Sequence, residues 1–240
     1  MSAYYPVHVD IKSRKCVVVG GGAVASRKVR SLLECGARVT VIGPQPSPDL
    51  QELALRGAID VVRREFREGD VAGSFLVIAA TDDEAVNDAV AREAERNNAL
   101  VNVVDDPQHC NFLVPSVVRR GDLVVSISTG GRSPALARSL RQRIEQFLEP
   151  EYGLLLDVVS EVRDELKRDG RSVAPDAWQK ALDSESLELV RLGLTDRAKE
   201  RIIRVLLGPD ETELAEKRQF VDNSHAKSRL SPISTGGNEQ

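Results

Sequence analysis

Gly20, Gly22 and Ala25 stand at the spacing G-x-G-x-x-A, directly behind the apolar run Val17-Val18-Val19 and ahead of a helix-compatible segment bearing Arg27, Lys28 and Arg30. Each small residue has a physical job. Gly20 lets the chain turn sharply out of a strand, Gly22 has no side chain to hold a pyrophosphate off the backbone, and Ala25 allows a helix to pack closely on a sheet. The helix start adds free N–H groups and the positive end of its dipole. The chemistry this predicts is dinucleotide binding, with Gly20, Gly21 and Gly22 around the phosphates. A glycine pattern alone is a weak signal; between a buried strand and a helix it is a much better one.

Those residues need a scaffold, and the flanking sequence supplies its rhythm. Arg38–Ile42 reads as a second strand, Leu50–Arg56 as a short helix and Ile59–Val62 as a third strand. Phe75–Ala80 is a near-continuous apolar run, as expected for a parallel strand covered on both faces. A helix over Glu84–Asn97, with Val86, Val90 and Ala94 at fourfold spacing, leads to a strand at Leu100–Val104. Strand and helix alternating in this way predict an α/β fold, a Rossmann-type doubly wound parallel sheet with ligands at the carboxyl ends of its strands. Three such ends are polar: the glycine loop, Thr81-Asp82, and Asn102 with Asp105-Asp106. They are expected to share one crevice. Tyr4–Ile11 is expected to add a short edge strand.

The end of the second strand is informative for what it lacks. An acidic residue about 20 positions after the glycines ordinarily bonds the adenosine ribose. Here stand Gly43, Pro44 and Gln45, with Asp49 the nearest carboxylate and no arginine to clamp a 2′-phosphate. The residues alone therefore leave NAD and NADP both open.

Beyond the sheet the rhythm changes. Ser116–Arg120 and Leu123–Ser128 flank Gly121-Asp122, a two-residue hairpin turn. Thr129-Gly130-Gly131-Arg132-Ser133-Pro134 forms a second small-residue loop, with Ser133 a suitable N-cap and Pro134 suited to the first helical position. The helix behind it is expected to bury Leu136, Leu140, Ile144 and Phe147, and to break at Pro150. After Pro150 the pattern is helical: a stripe of Leu155, Val158, Val159, Val162 and Leu166, then Pro175–Leu182 and Ala198–Leu207. The expected organisation is a nucleotide-binding domain over residues 1–115, a hairpin and helix for dimerisation and substrate contact over 116–150, a small helical domain over 151–225, and a disordered tail over 226–240.

Whole-chain properties bound the function. The chain has 240 residues, 41% hydrophobic and 29% charged, with a net charge of −4, which argues against nucleic acid as main partner. Cys16, Cys35 and Cys110 have neither even number nor C-x-x-C spacing, so neither a disulfide framework nor structural zinc is expected, and a cytoplasmic home is. No signal layout and no membrane-length apolar stretch is present. His8, His109 and His225 lack metal-ligand spacing, so no resident metal is expected.

The ordered set Val18–Gly22 with Ala25 and Arg27-Lys28, Ala79–Asp83, Asn102–Asp105, and Ser128–Gly131 with Ser133-Pro134 and Ala137-Arg138 resembles the precorrin-2 dehydrogenase module of siroheme synthases. The resemblance covers residues 1 to about 150 by motif and the following helices by layout. It implies NAD-dependent oxidation of precorrin-2 to sirohydrochlorin, with Fe²⁺ in some members a further substrate, inserted at the same site to give siroheme, rather than a bound cofactor. It implies a homodimer. It places phosphate contacts on Gly22, Ala23 and Val24, adenosine contacts on Pro44 and Gln45, and the essential aspartate on Asp105. The chain shows no methyltransferase segment, so methylation is not expected. A serine pair found before the Gly-Gly in some relatives is Ser128-Thr129 here.

The residues agree with that chemistry. Removing a hydride and a proton from a reduced tetrapyrrole needs a nicotinamide acceptor and one nearby base. Thr81, Asp82 and Asn102 are expected around the cofactor, and Thr129, Gly130, Gly131, Arg132, Ser133 and Arg138 around a carboxylate-rich tetrapyrrole. The structural alternative for Asp105 is a loop cap. The competing function is a non-catalytic NAD-sensing module, which leaves the Thr129–Ser133 loop unexplained. A short-chain dehydrogenase is disfavoured, because Tyr152 is followed four residues later by Leu156 rather than lysine.

Overall fold

The structure, a computed structural model, describes residues 4–208; the expected tail and the far end of the expected helical domain lie outside them. The described chain groups into two compact units, one holding residues up to Ser116 together with Ser126–Leu140, the other Val117–Val125 and residues from Arg141 on.

The first unit is a five-stranded parallel sheet in the order β3-β2-β1-β4-β5, made by Asp60–Val62, Arg38–Ile42, Lys15–Val19, Leu76–Ala79 and Leu100–Val103. Successive side chains of a strand point to opposite faces, and both faces are apolar here. Val18, Val41 and Ile78 pack under α1 (Ala23–Glu34) and α2 (Pro48–Leu55), meeting Ala25, Val29, Leu32 and Leu50. Val17, Val19, Val77, Ala79, Val101 and Val103 pack under α3 (Glu84–Arg96), meeting Val90, Ala91 and Ala94. Helix α1 stops at Gly36, whose φ of +73° allows Ala37 N–H to bond Leu32 O and Gly36 N–H to bond Leu33 O. Helix α2 starts at the Ser47 cap, whose hydroxyl accepts from Leu50 N–H, and α3 at Asp83, whose carboxylate accepts from Ala85 and Val86 N–H.

The expected edge strand at Tyr4–Ile11 does not form. Residues 4–10 are exposed and pair with no strand, and Ile11 alone joins the core. Pro6 removes a ladder donor, and the alternating Tyr5, Val7 and Val9 stay exposed with no strand to pair with.

Strands β6 (Ser116–Arg120) and β7 (Leu123–Ile127) form the predicted hairpin, with Gly121 at φ +57° in the turn. Helix α4 (Pro134–Phe147) follows, its start held by the Ser133 hydroxyl accepting from Leu136 N–H. The expected burial of its stripe fails within one chain. Leu136 is 52%, Leu140 37% and Phe147 73% exposed, and only Ala137 is buried. The periodicity was right for a helix, but spacing shows only which residues share a face and not what covers it.

In the second unit, Arg120 donates to the carbonyls of Leu148 and Glu145. The rest is helical: α5 (Glu151–Arg168), α6 (Pro175–Ala181), α7 (Ser184–Arg191) and α8 (Thr195–Leu207), around Val162, Ala181, Val190, Ala198 and Ile202. Helix α7 was not predicted. Its signal was local, an Asp183 cap accepting from Ser186 N–H and a Gly193 stop at φ +73°. Arg201 ties α8 to its start through Asp183 and the Ser186 hydroxyl.

Candidate functional site

The site is built at the carboxyl ends of β1, β4 and β5, all in the first unit. Gly20 leaves β1 at φ +123°, and a β-carbon there would sit 2.2 Å from Ala80 O. On Gly21 it would meet Gln45 O at 2.5 Å. Gly22 differs: a β-carbon added there has nothing within 4 Å. Gly22 is also the N-cap of α1, with no side-chain cap and no acidic residue in the first turn. The N–H groups of the first turn, at Ala23 and Val24, are thus left by the protein for an external anion. The residues fit a dinucleotide's pyrophosphate.

The β2 loop closes over the same glycines. Ser47 N–H bonds Gly21 O, and Pro44 and Gln45 are exposed beside it. Asp49, the nearest carboxylate, is turned toward α1, pairing with Arg30 at 3.0 Å.

At the end of β4, Thr81 and Asp83 organise the start of α3. The Thr81 hydroxyl donates to Asn87 Oδ1 at 2.8 Å and accepts from Asp83 N–H, while Asp82 is exposed. On β5, the Asn102 amide is spent on Phe112 O and Cys110 Sγ, which anchors the loop after β5. Asn102 therefore bears on the cleft chiefly by placing that loop.

A cavity of about 390 Å³ opens at this strand end, lined among others by Asn102, Asp105, Cys110, Ser128, Thr129 and Gly131. Asp105 is exposed there and takes a left-handed backbone, φ +60°, which carboxylate and amide residues tolerate better than others. Asp106, next door, is spent on the following loop, accepting from Gln108 N–H and pairing with His109 Nδ1 at 2.5 Å. That bond holds the Asp106 carboxyl below its usual range and raises the His109 imidazole. Asp88 completes a group of three potential cation ligands with Asp106 and His109; the His109–Asp106 bond and the loop cap account for its geometry. Burial pushes the Cys110 thiol up.

The second small-residue loop also contributes to the lining, through Ser128, Thr129 and Gly131. The Thr129 hydroxyl bonds both Ser133 O and Ser133 N–H, and Gly130 and Gly131 have positive φ. Gly131 faces Pro107 and Leu113. Gly130, Arg132, Ser133 and Arg138 are not part of the lining, and both arginines are exposed.

Arg27 and Lys28, which do line the cavity, stand in the sequence within the motif set of the glycine loop, with no contact expected of either. Their signal was available: they sit just after the phosphate loop, on a helix whose side chains lean back toward its start. Burial lowers the Lys28 ammonium, as does Arg27, while Asp105 and Cys110 raise it.

Comparison with known proteins adds a lineage. Residues 7–116 match a family model described as putative NAD(P)-binding, and residues 120–146 one described as sirohaem biosynthesis protein central. The chain is 42% identical over 209 residues to a siroheme synthase of Thioalkalivibrio sulfidiphilus, covering 85% of this chain and 42% of that one. It is 46% identical over 163 residues to a siroheme synthase of Methylobacillus flagellatus, covering 68% and 35%. The chain thus spans less than half the length of these curated relatives. Among solved structures, SirC, a precorrin-2 dehydrogenase, superposes with a TM-score of 0.67 at 27% identity, over 84% of this chain and all of that one.

Proposed function

The chain belongs to the siroheme synthase family, and on that premise we propose that it is an NAD-dependent dehydrogenase converting precorrin-2 to sirohydrochlorin. The observation that carries this reading is the cavity that Asp105, just beyond β5, lines together with Thr129 and Gly131. Gly20–Val24 would hold the pyrophosphate and Pro44 and Gln45 the adenosine. When bound, the nicotinamide supplies the acceptor for the hydride.

Asp105 performs the protein's part of the reaction. As a carboxylate it takes the proton that must leave the macrocycle with the hydride, the role of a positioned general base. Its left-handed backbone, φ +60°, is a conformation aspartate tolerates. The Ser128–Gly131 loop supplies the wall against which the tetrapyrrole lies.

NAD rather than NADP is the cofactor of this reading. That choice rests on the family resemblance, since Asp49 is occupied by Arg30 and Gly43-Pro44-Gln45 offers neither a carboxylate to the ribose nor a cation to a 2′-phosphate. The active form is a homodimer, formed through the exposed apolar stripe of α4. Among the described residues no helix is long and apolar enough to cross a membrane, and the three free cysteines suit a cytoplasmic location. Fe²⁺ insertion into sirohydrochlorin is a second reading, favoured by the same carboxylate, which can take the pyrrole protons that the metal displaces.

The test is anaerobic incubation with precorrin-2 and NAD while NADH absorbance is followed. NADH formation with appearance of sirohydrochlorin is expected. NAD binding without turnover would instead identify a sensing module, and equal turnover with NADP would contradict the cofactor assignment. Sirohydrochlorin and Fe²⁺ supplied without NAD decide the second reading.

A further inference from the structure

Arg132 and Arg138, expected by sequence around the carboxylate-rich tetrapyrrole, do not line the cavity. The cations that do are Arg27 and Lys28, both on α1. Arg27 is exposed and well hydrated. Lys28 is half-buried, and it makes no hydrogen bond or ion pair with any described residue. A partly desolvated ammonium with no partner is costly unless something supplies the opposite charge. Asp105 and Cys110 are the cavity groups whose electrostatic influence reaches it, opposed by burial and Arg27.

Two anions lie within the logic of the site, the cofactor's pyrophosphate and a carboxylate on the tetrapyrrole rim. The pyrophosphate already has Gly22, Ala23 and Val24. Lys28 instead shares its cavity with Asp105 and the Ser128–Gly131 loop, where the substrate would lie. Resting on the dehydrogenase reading above, we infer that Lys28 is a substrate-anchoring residue. Its ammonium receives a peripheral carboxylate of the tetrapyrrole and so presents the ring edge to Asp105. The anchor selects for macrocycles with a carboxylate at that edge, and it acts on binding rather than on the proton-transfer step.

The experiment uses the full chain and the variants Lys28→Met, Lys28→Gln and Lys28→Arg, with thermal melting as the check on folding. Precorrin-2 is titrated at saturating NAD, and sirohydrochlorin binding is measured separately by absorbance. Loss of one charged hydrogen bond predicts a rise of roughly 10- to 100-fold in KM for precorrin-2 and in Kd for sirohydrochlorin in the Met and Gln variants. Little change in kcat or NAD affinity is expected, and Lys28→Arg should recover most of the loss. Unchanged sirohydrochlorin affinity overturns the inference. So does a fall in kcat at constant KM, which would place Lys28 in the chemistry, or lost NAD affinity in a folded variant, which would make it a phosphate ligand. If the parent fails to oxidise precorrin-2, the dehydrogenase reading falls, while the sirohydrochlorin titration still decides the anchor.

Discussion

A β-carbon on Gly20 would lie 2.2 Å from the carbonyl oxygen of Ala80, so the end of β1 and the end of β4 meet at a separation only glycine permits. Two positions on, Gly22 has open space in place of that carbonyl. The two glycines should therefore fail in different ways. Gly20→Ala combines a clash with positive φ and should cost about 1–3 kcal/mol or more of stability, read as a lowered melting temperature. Gly22→Val should melt within a few degrees of the parent, since a poorer N-cap costs about 1 kcal/mol, yet lose NAD binding in calorimetry. Unchanged NAD affinity in Gly22→Val would contradict the placement of the phosphate loop.

The pairing of His109 with Asp106 predicts a pH window for the loop after β5. The His109 value is raised, so its contribution is complete below the unfolded value of about 6.5 and fades as pH rises through the higher folded one. The Asp106 value is lowered, so its contribution is complete above the unfolded carboxylate value and fades as pH falls through the lower folded one. The pair is held between those two limits. Proton NMR titration should place the His109 midpoint above the ordinary imidazole value and return it toward that value in Asp106→Asn. Identical midpoints in the two proteins would show the pairing to be absent in solution.

The exposed stripe of Leu136, Leu140 and Phe147 predicts assembly. Light scattering at micromolar concentration should give a dimer mass, and Leu140→Asp with Phe147→Asp should shift it to monomer with the sheet intact by circular dichroism. A monomeric parent would refute the interface.

The parallel sheet was legible because buried strands leave continuous apolar runs, and Val17–Val19 and Leu76–Ala79 are fully covered. The glycine loop was legible because φ +123° at Gly20 and the close approach of Gln45 O to Gly21 demand residues without a side chain. Tyr4–Ile11 misled because alternation without a partner strand is not a strand. The cavity's cations were harder to see. Lys28 looks in sequence like any basic residue on a solvated helix face, and only tertiary packing brings it into the cavity that Asp105 also lines. Arg132 and Arg138 stand beside the second loop in sequence but outside the cavity lining, because nearness along the chain does not fix where a side chain lies.

The central claim concerns Asp105, and its backbone makes the cleanest test available. At φ +60° asparagine is tolerated as well as aspartate, so Asp105→Asn removes basicity without adding strain. NAD affinity, melting temperature and mass should all match the parent. The decisive measurement is the rate of NADH formation from precorrin-2 by Asp105→Asn under saturating NAD. A fall of about 10²-fold or more is predicted, the scale of losing a general base; oxidation at the parent rate would contradict the account.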